Sequence, residues 1–105
     1  MENQDAVSAL GALAQEDRLA AFRLLMTCGG EGMPSGEIAE HLDVSPTRMS
    51  FHLTTLERAG FLATRKEGRR VLYAVNQARM RALLSFLIDD CCGKNPAICG
   101  FSNTD

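Results

Sequence analysis

Tryptophan is absent from this 105-residue chain, tyrosine occurs once and histidine only twice. No apolar run approaches the roughly 20 residues needed to cross a bilayer, so no membrane partner is expected. The opening residues, Met1 to Asp5, have neither the basic start nor the apolar core of a secretory signal. The expectation is a soluble, cytoplasmic protein. The chain is also too short for two independent cores. No glycine-rich phosphate loop, Ser-His-Asp set or cofactor fingerprint is present. Asp89 and Asp90 are adjacent and so lie on different faces of a helix, not aimed at one bond. An enzyme is not expected.

Positive charge is scarce overall, with a formal net charge of −2, but it is concentrated. Residues 46–81 hold seven Arg and one Lys against Glu57 and Glu67, whereas residues 1–45 hold two Arg against eight carboxylates. Salt screens exposed charges beyond about 10 Å, so a phosphate backbone responds to the local patch and not to the total. The middle third is therefore the expected contact surface for nucleic acid.

Hydrophobic spacing predicts helices over 4–13 and 15–28, the second with Leu19, Phe22, Leu25 and Met26 at three- and four-residue steps. Gly29, Gly30, Gly32 and Pro34 end it. Ser35 is expected to cap a short helix from Gly36 to Leu42, with Ile38, Ala39 and Leu42 on one face. Asp43 and Val44 form a tight break. Ser45 followed by Pro46 then opens a helix running to about Ala59, where Gly60 stands at the C-terminal glycine position. Beyond Gly60 the period falls to two. Phe61–Lys66 and Val71–Val75 read as strands joined across Glu67, Gly68 and Arg69. Asn76 or Gln77 opens a last helix with Met80, Leu83, Leu84, Leu87, Ile88 and Cys91 on one side. Gly93 and Pro96 break it.

These elements give a mainly α chain with a two-stranded β wing, a winged helix-turn-helix in the order ααααββα. Residues 1–92 are expected to form the DNA-binding and dimerisation domain, and 93–105 a tail carrying a ligand cysteine. In the helix from Ser45, the residues Met49, Leu53 and Leu56 make the buried stripe. The other side is expected to meet DNA through Ser45, Thr47, Arg48 and Ser50, with Arg48 the best base or phosphate donor because its fork can pair with a guanine edge. Phe51 points outward, either to pack against a neighbour or to touch a thymine methyl. His52, at the stripe's margin, either packs or contacts DNA. Lys66, Arg69 and Arg70 on the wing, with Arg65, are expected to neutralise phosphates.

The joint pattern resembles the ArsR/SmtB metalloregulatory repressors. It comprises Leu13-Ala14, Arg18-Leu19, Leu24-Leu25, Ile38-Ala39, His41-Leu42, Ser45 through Ser50 to His52-Leu53, the run Leu56 to Leu62, and the wing from Arg69 to Tyr73. The resemblance covers about residues 10–90. It implies a homodimer built on the first and last helices, binding an inverted-repeat double-stranded operator and dissociating when an inducer binds. The seam would include Met80, Leu83, Leu84, Leu87 and Ile88, a stripe also larger than one small domain is expected to cover. DNA binding itself would need no cofactor.

Where that family carries its arsenic and cadmium box, this chain has Ser35, Gly36 and Glu37. Between Gln77 and Cys92 there is no His for a zinc site. Clustered thiols in a reducing compartment more often bind metals or sense redox state than form disulfides. The remaining thiols, Cys91, Cys92 and Cys99, number three without a fourth ligand, which suits a trigonal thiophilic ion better than tetrahedral zinc. The pattern is similar to an arsenite-responsive subgroup with a vicinal cysteine pair and a third cysteine near the C-terminus. The expected inducer is arsenic(III), with antimony(III) or methylarsenite also compatible. The alternative is a thiol redox or persulfide sensor of the same fold. Cys28 is expected to be a small buried hydrophobe.

Overall fold

The computed structural model describes residues 1–90. The chain forms α1 (Asn3–Leu13), α2 (Glu16–Cys28), a 3-10 turn (Gly29–Glu31), β1 (Met33–Pro34), α3 (Ser35–Leu42), α4 (Pro46–Arg58), β2 (Leu62–Glu67), β3 (Arg70–Val75) and α5 (Gln77–Ser85), closed by one π-helical turn (Phe86–Asp90). Among the described residues no helix is long and apolar enough to cross a membrane.

The core follows the periodic positions. Leu25, Ile38, Met49, Leu53, Leu56 and Phe61 are fully buried, and each such side chain contributes roughly 1.5–3 kcal/mol of transfer free energy. Phe22 and Phe61 meet edge to face, with ring centroids 5.4 Å apart. α1 buries only Ala6, Ala9 and Ala12, small residues at three-residue spacing that let its backbone lie close to the core. The break after α1 is tied by Arg18, whose Nε donates to the Ala12 carbonyl at 2.6 Å, satisfying an end-of-helix acceptor.

The turn between α3 and α4 rests on Asp43, left-handed at φ 53°, and on a bond from the Val44 N–H to the Ala39 carbonyl. Asp tolerates that conformation better than most residues with a Cβ. Ser45 then caps α4, its Oγ accepting from the Arg48 N–H at 3.3 Å, and Pro46 takes the first helical position. At the other end Gly60 has φ 89°. The Phe61 N–H bonds the Leu56 carbonyl and the Gly60 N–H bonds the Glu57 carbonyl, the paired bonds of a Schellman cap. Arg79 from α5 closes the same end, its Nε donating to the Ala59 carbonyl at 3.0 Å. Ser45, Pro46 and Gly60, the residues that the sequence pattern marks, therefore fix the ends of α4, and the fold adds Arg79.

Three expectations are corrected. Ser35 is the first residue of α3, not its cap; Pro34 precedes it with no side-chain cap bond. The sheet has three antiparallel strands in the order β1-β3-β2, not two. Gly32, at φ 73°, passes so close to the Tyr73 carbonyl that a Cβ there would collide with it, and this approach seats Met33 opposite Tyr73 and Pro34 opposite Leu72. Proline is tolerated because β1 lies at the sheet edge. Finally, the last helix does not run on as one α-helix to Cys91. α-Helical bonding ends at Ser85 and a π turn follows, whose i→i+5 bonding changes the phase of the stripe.

Candidate DNA interface

α4 is amphipathic in the plainest sense. Met49, Leu53 and Leu56 are all fully buried. On the opposite face Thr47, Ser50, Phe51, Thr54, Thr55 and Arg58 line one shallow groove of about 390 Å³. Ser45, Thr47, Arg48, Ser50 and Phe51 are all exposed, so the structure brings these expected contacts together over the N-terminal half of the helix. In helix-turn-helix proteins that half reaches the base edges.

Arg48 is not free. One Nη donates to Asp17 Oδ2 of α2 at 3.3 Å, across a pair whose Arg side chain is 66% exposed. The same carboxylate oxygen lies 3.8 Å from His52 Nε2, which is buried without a hydrogen-bond partner among the described residues. His52 is thus packed against α2, and the packing alternative for it agrees with this placement. Asp17 is the residue that sequence reading missed. It stands in the first turn of α2, where an acid is ordinary for the helix dipole, and only the fold brings it to Arg48, 31 residues away.

The wing is a two-residue hairpin, with Glu67 paired to Arg70 and Leu62 to Val75 at its ends. Gly68 takes φ 64° at the first turn position, the glycine-first pattern of a II′ hairpin. Lys66, Arg69 and Arg70 are exposed and have no ion pair among the described residues. Arg65 differs from them. Its Nη1 donates to the Gly30 carbonyl at 3.1 Å, and its Nη2 lies 3.7 Å from Glu67. Arg65 is therefore a tie between the wing and the turn after α2. At the wing's root the Thr64 hydroxyl donates to Glu57 Oε2 at 3.4 Å. Burial, then the nearby Glu57 charge, raises the Tyr73 hydroxyl above its ordinary value of 10.0.

The residues expected on the dimer seam do not share one open face. Leu83 is 4% exposed inside the chain's own core, with Met80 and Leu87 packed beside it. Ile88 is half-buried, and Leu84 is exposed. α1 adds exposed Val7 and Leu10. Cys28 is half-buried, not fully buried, and its thiol donates to the Leu24 carbonyl at 3.6 Å. Cys91, Cys92 and Cys99 lie outside the described residues.

A capped helix with a buried stripe and an open polar face, beside a cationic hairpin, defines a winged helix-turn-helix DNA-binding protein. Residues 13–65 match the family described as "Helix-turn-helix domain". The chain is 33% identical over 82 residues to the transcriptional activator HlyU of Vibrio cholerae, covering 78% of this chain and 73% of HlyU. It is 33% identical over 73 residues to a probable mercury resistance operon repressor of Streptomyces lividans, covering 70% of this chain and 56% of that protein. The solved homodimeric winged helix-turn-helix domain of a possible ArsR-family regulator from Mycobacterium bovis superposes with a TM-score of 0.65 at 26% identity, over 83% of this chain and 80% of that one. The chain belongs to the helix-turn-helix transcriptional regulators, and its structural neighbours include ArsR-family regulators.

Proposed function

We propose that the protein is a homodimeric repressor that holds an inverted-repeat operator through α4 and the wing, and releases it when arsenic(III) binds Cys91, Cys92 and Cys99. The observation that carries the DNA half is that a chain of negative net charge presents both the exposed N-terminal face of α4 and three exposed wing cations with no ion pair among the described residues. Operator DNA is the partner this surface fits, with Arg48 directed to a base edge and Lys66, Arg69 and Arg70 to phosphates.

Dimerisation is supported by the exposed apolar residues Val7 and Leu10 of α1 and Leu84 of α5, and by the homodimeric state named for the Mycobacterium relative. Two recognition helices related by a two-fold axis then meet half-sites about one helical turn apart. A dimer seated there blocks a promoter without a second domain.

The inducer half rests on the number and softness of the three C-terminal thiols. The mercury repressor supports it by showing that a relative is named for another thiophilic metal. Among the described residues no group of three or more His, Cys, Asp or Glu is placed to hold an ion. Metalloid binding just beyond α5 would alter how the terminal helices of two protomers meet, and so the separation of the two α4 helices. A hundredfold loss of affinity needs only about 2.7 kcal/mol of coupling. The test is anisotropy of a labelled operator duplex under reducing conditions. Arsenite should release the wild type, while Cys91→Ser and Cys92→Ser bind DNA normally but ignore arsenite. Release of Cys91→Ser by arsenite, or equal release of the wild type by oxidant, overturns the metalloid reading.

A further inference from the structure

Phe51 stands at the centre of α4's outer face with 70% of its surface exposed, more than any other large apolar side chain described. Nothing in the fold asks for an aromatic there. The inward stripe of Met49, Leu53 and Leu56 is complete without it, and a bare ring in water forgoes roughly 25 cal/mol for each Å² left uncovered. Thr55, one turn on, adds apolar surface beside it. The Thr55 hydroxyl donates to Phe51's own carbonyl at 3.0 Å, so it is occupied within the helix, and a methyl group is what Thr55 has left to offer a ligand. Around this centre stand groups suited to a nucleic acid: the hydroxyls of Thr47 and Ser50, and the Arg58 guanidinium. The carboxylate of the same helix, Glu57, is turned to the wing root, where it accepts from Thr64. The face is thus an apolar spot in a neutral-to-basic rim.

We infer that Phe51 is a specificity-determining residue that reads the C5-methyl group of a 5-methylpyrimidine in the major groove. A phenyl ring can neither donate nor accept a conventional hydrogen bond, so it is blind to most of the groove's code. Among the unmodified bases only thymine presents an apolar group there, and 5-methylcytosine presents the same group on a different base. The position suits this role, because Phe51 is the sixth of the thirteen residues of α4 and lies in its N-terminal half. The inference rests on α4 being the DNA-reading helix, and it adds the chemical feature that is read.

The experiment enriches binding sites from a random duplex pool with the full chain, wild type and Phe51→Ala. Each thymine of the enriched duplex is then replaced singly by deoxyuridine, which removes only the methyl group. One thymine per half-site should prove sensitive. Its loss should weaken wild-type binding about 4-fold, the factor that ~0.8 kcal/mol for a methyl-sized group converts to. Phe51→Ala should bind the thymine duplex about 4-fold more weakly and be indifferent to uracil, while Phe51→Leu retains part of the effect. At that position cytosine and 5-methylcytosine separate the sources. A gain on methylation means that the methyl is read on either base, and no gain restricts the reading to thymine. Phe51→Ala should unfold at the wild-type denaturant midpoint, since the ring is exposed. If both proteins enrich sites but uracil has no effect, or if Phe51→Ala keeps the wild-type uracil penalty, the inference is overturned while the DNA-binding function stands. If neither enriches any site, the function itself falls and the inference with it. Enrichment by Phe51→Ala of a site with unchanged preference at every position also overturns it, and leaves Phe51 facing a protein.

Discussion

α4 and the wing carry the same sign of charge but are held in different ways. α4 is clamped at both ends, by the Ser45 cap and by the Schellman pair with Arg79, and three of its side chains are fully buried in the middle. The wing projects. Of β2 and β3 only Leu62 and Leu72 are buried, and every residue from Ala63 to Val71 is exposed. A rigid element can place a guanidinium against one base edge, whereas a projecting one can only bring charge near a backbone. On the proposed function, the difference assigns selectivity to α4 and salt-dependent affinity to the hairpin.

The largest expected effect tests the clamping itself. Leu53→Ala leaves a void in a site enclosed on all sides and should cost about 4–5 kcal/mol, the upper part of the range for such changes. Leu72→Ala sits under a thinner layer that can settle, and should cost about 2–3 kcal/mol. Urea denaturation followed by helical signal measures both. Equal midpoint shifts would break the comparison.

Next in size is the division of labour on DNA. Arg48→Ala should lose about 1–3 kcal/mol on the preferred duplex and relax preference at one position per half-site. Lys66→Ala should weaken all duplexes alike and lower the salt slope by about 0.9 per protomer. Binding measured against salt on preferred and scrambled duplexes distinguishes the two. A flattened slope for Arg48→Ala with an intact slope for Lys66→Ala would reverse the assignment.

A smaller effect sharpens how Arg48 is aimed. Asp17 holds its guanidinium from α2 at 3.3 Å, so Asp17→Asn should lower discrimination at the base proposed for Arg48 by about 2- to 5-fold, as befits an exposed pair worth ~0.5–1 kcal/mol. The salt slope should not change. Tighter binding to every duplex would show instead that Asp17 restrains Arg48 from DNA.

What the sequence made legible is what local chemistry dictates. Ser45-Pro46 and Gly60 are direct statements about where a helix begins and ends, and α4 starts and stops there. Gly68 between alternating residues marks a hairpin, and it forms. The misses that bear on the wing and the terminal helix depend on partners far along the chain. β1 is two residues long and includes a proline; its strand character exists only because Gly32 lets the chain lie against Tyr73. Arg65 reads like its neighbours Lys66 and Arg69, yet the fold places the Gly30 carbonyl within its reach. Leu83 belongs to a continuous stripe in sequence, but the chain's own core takes it. Composition locates the basic patch, but only packing tells which cations in it are already engaged.

The smallest expected effect probes the joint between the two regions. Tyr73 of β3 lies at the wing's root, where burial and then the charge of Glu57 from α4 raise its hydroxyl above 10.0. A tyrosine is neutral when protonated, so both influences favour the neutral form in the folded chain. In the unfolded chain the hydroxyl ionises at its ordinary value, about 10. Below that value both states hold the proton and the group contributes no pH dependence. As pH rises through the unfolded value toward the raised folded one, the unfolded state releases its proton first and stability falls. Denaturant midpoints measured from about pH 8 to about pH 11 should therefore decline for the wild type at the alkaline end. The decline should be shallower in Tyr73→Phe, which has no proton to lose. Glu57→Gln should fall between them, because it removes the second cause and leaves burial, the first. A Tyr73→Phe curve as steep as the wild type's would place the alkaline sensitivity elsewhere.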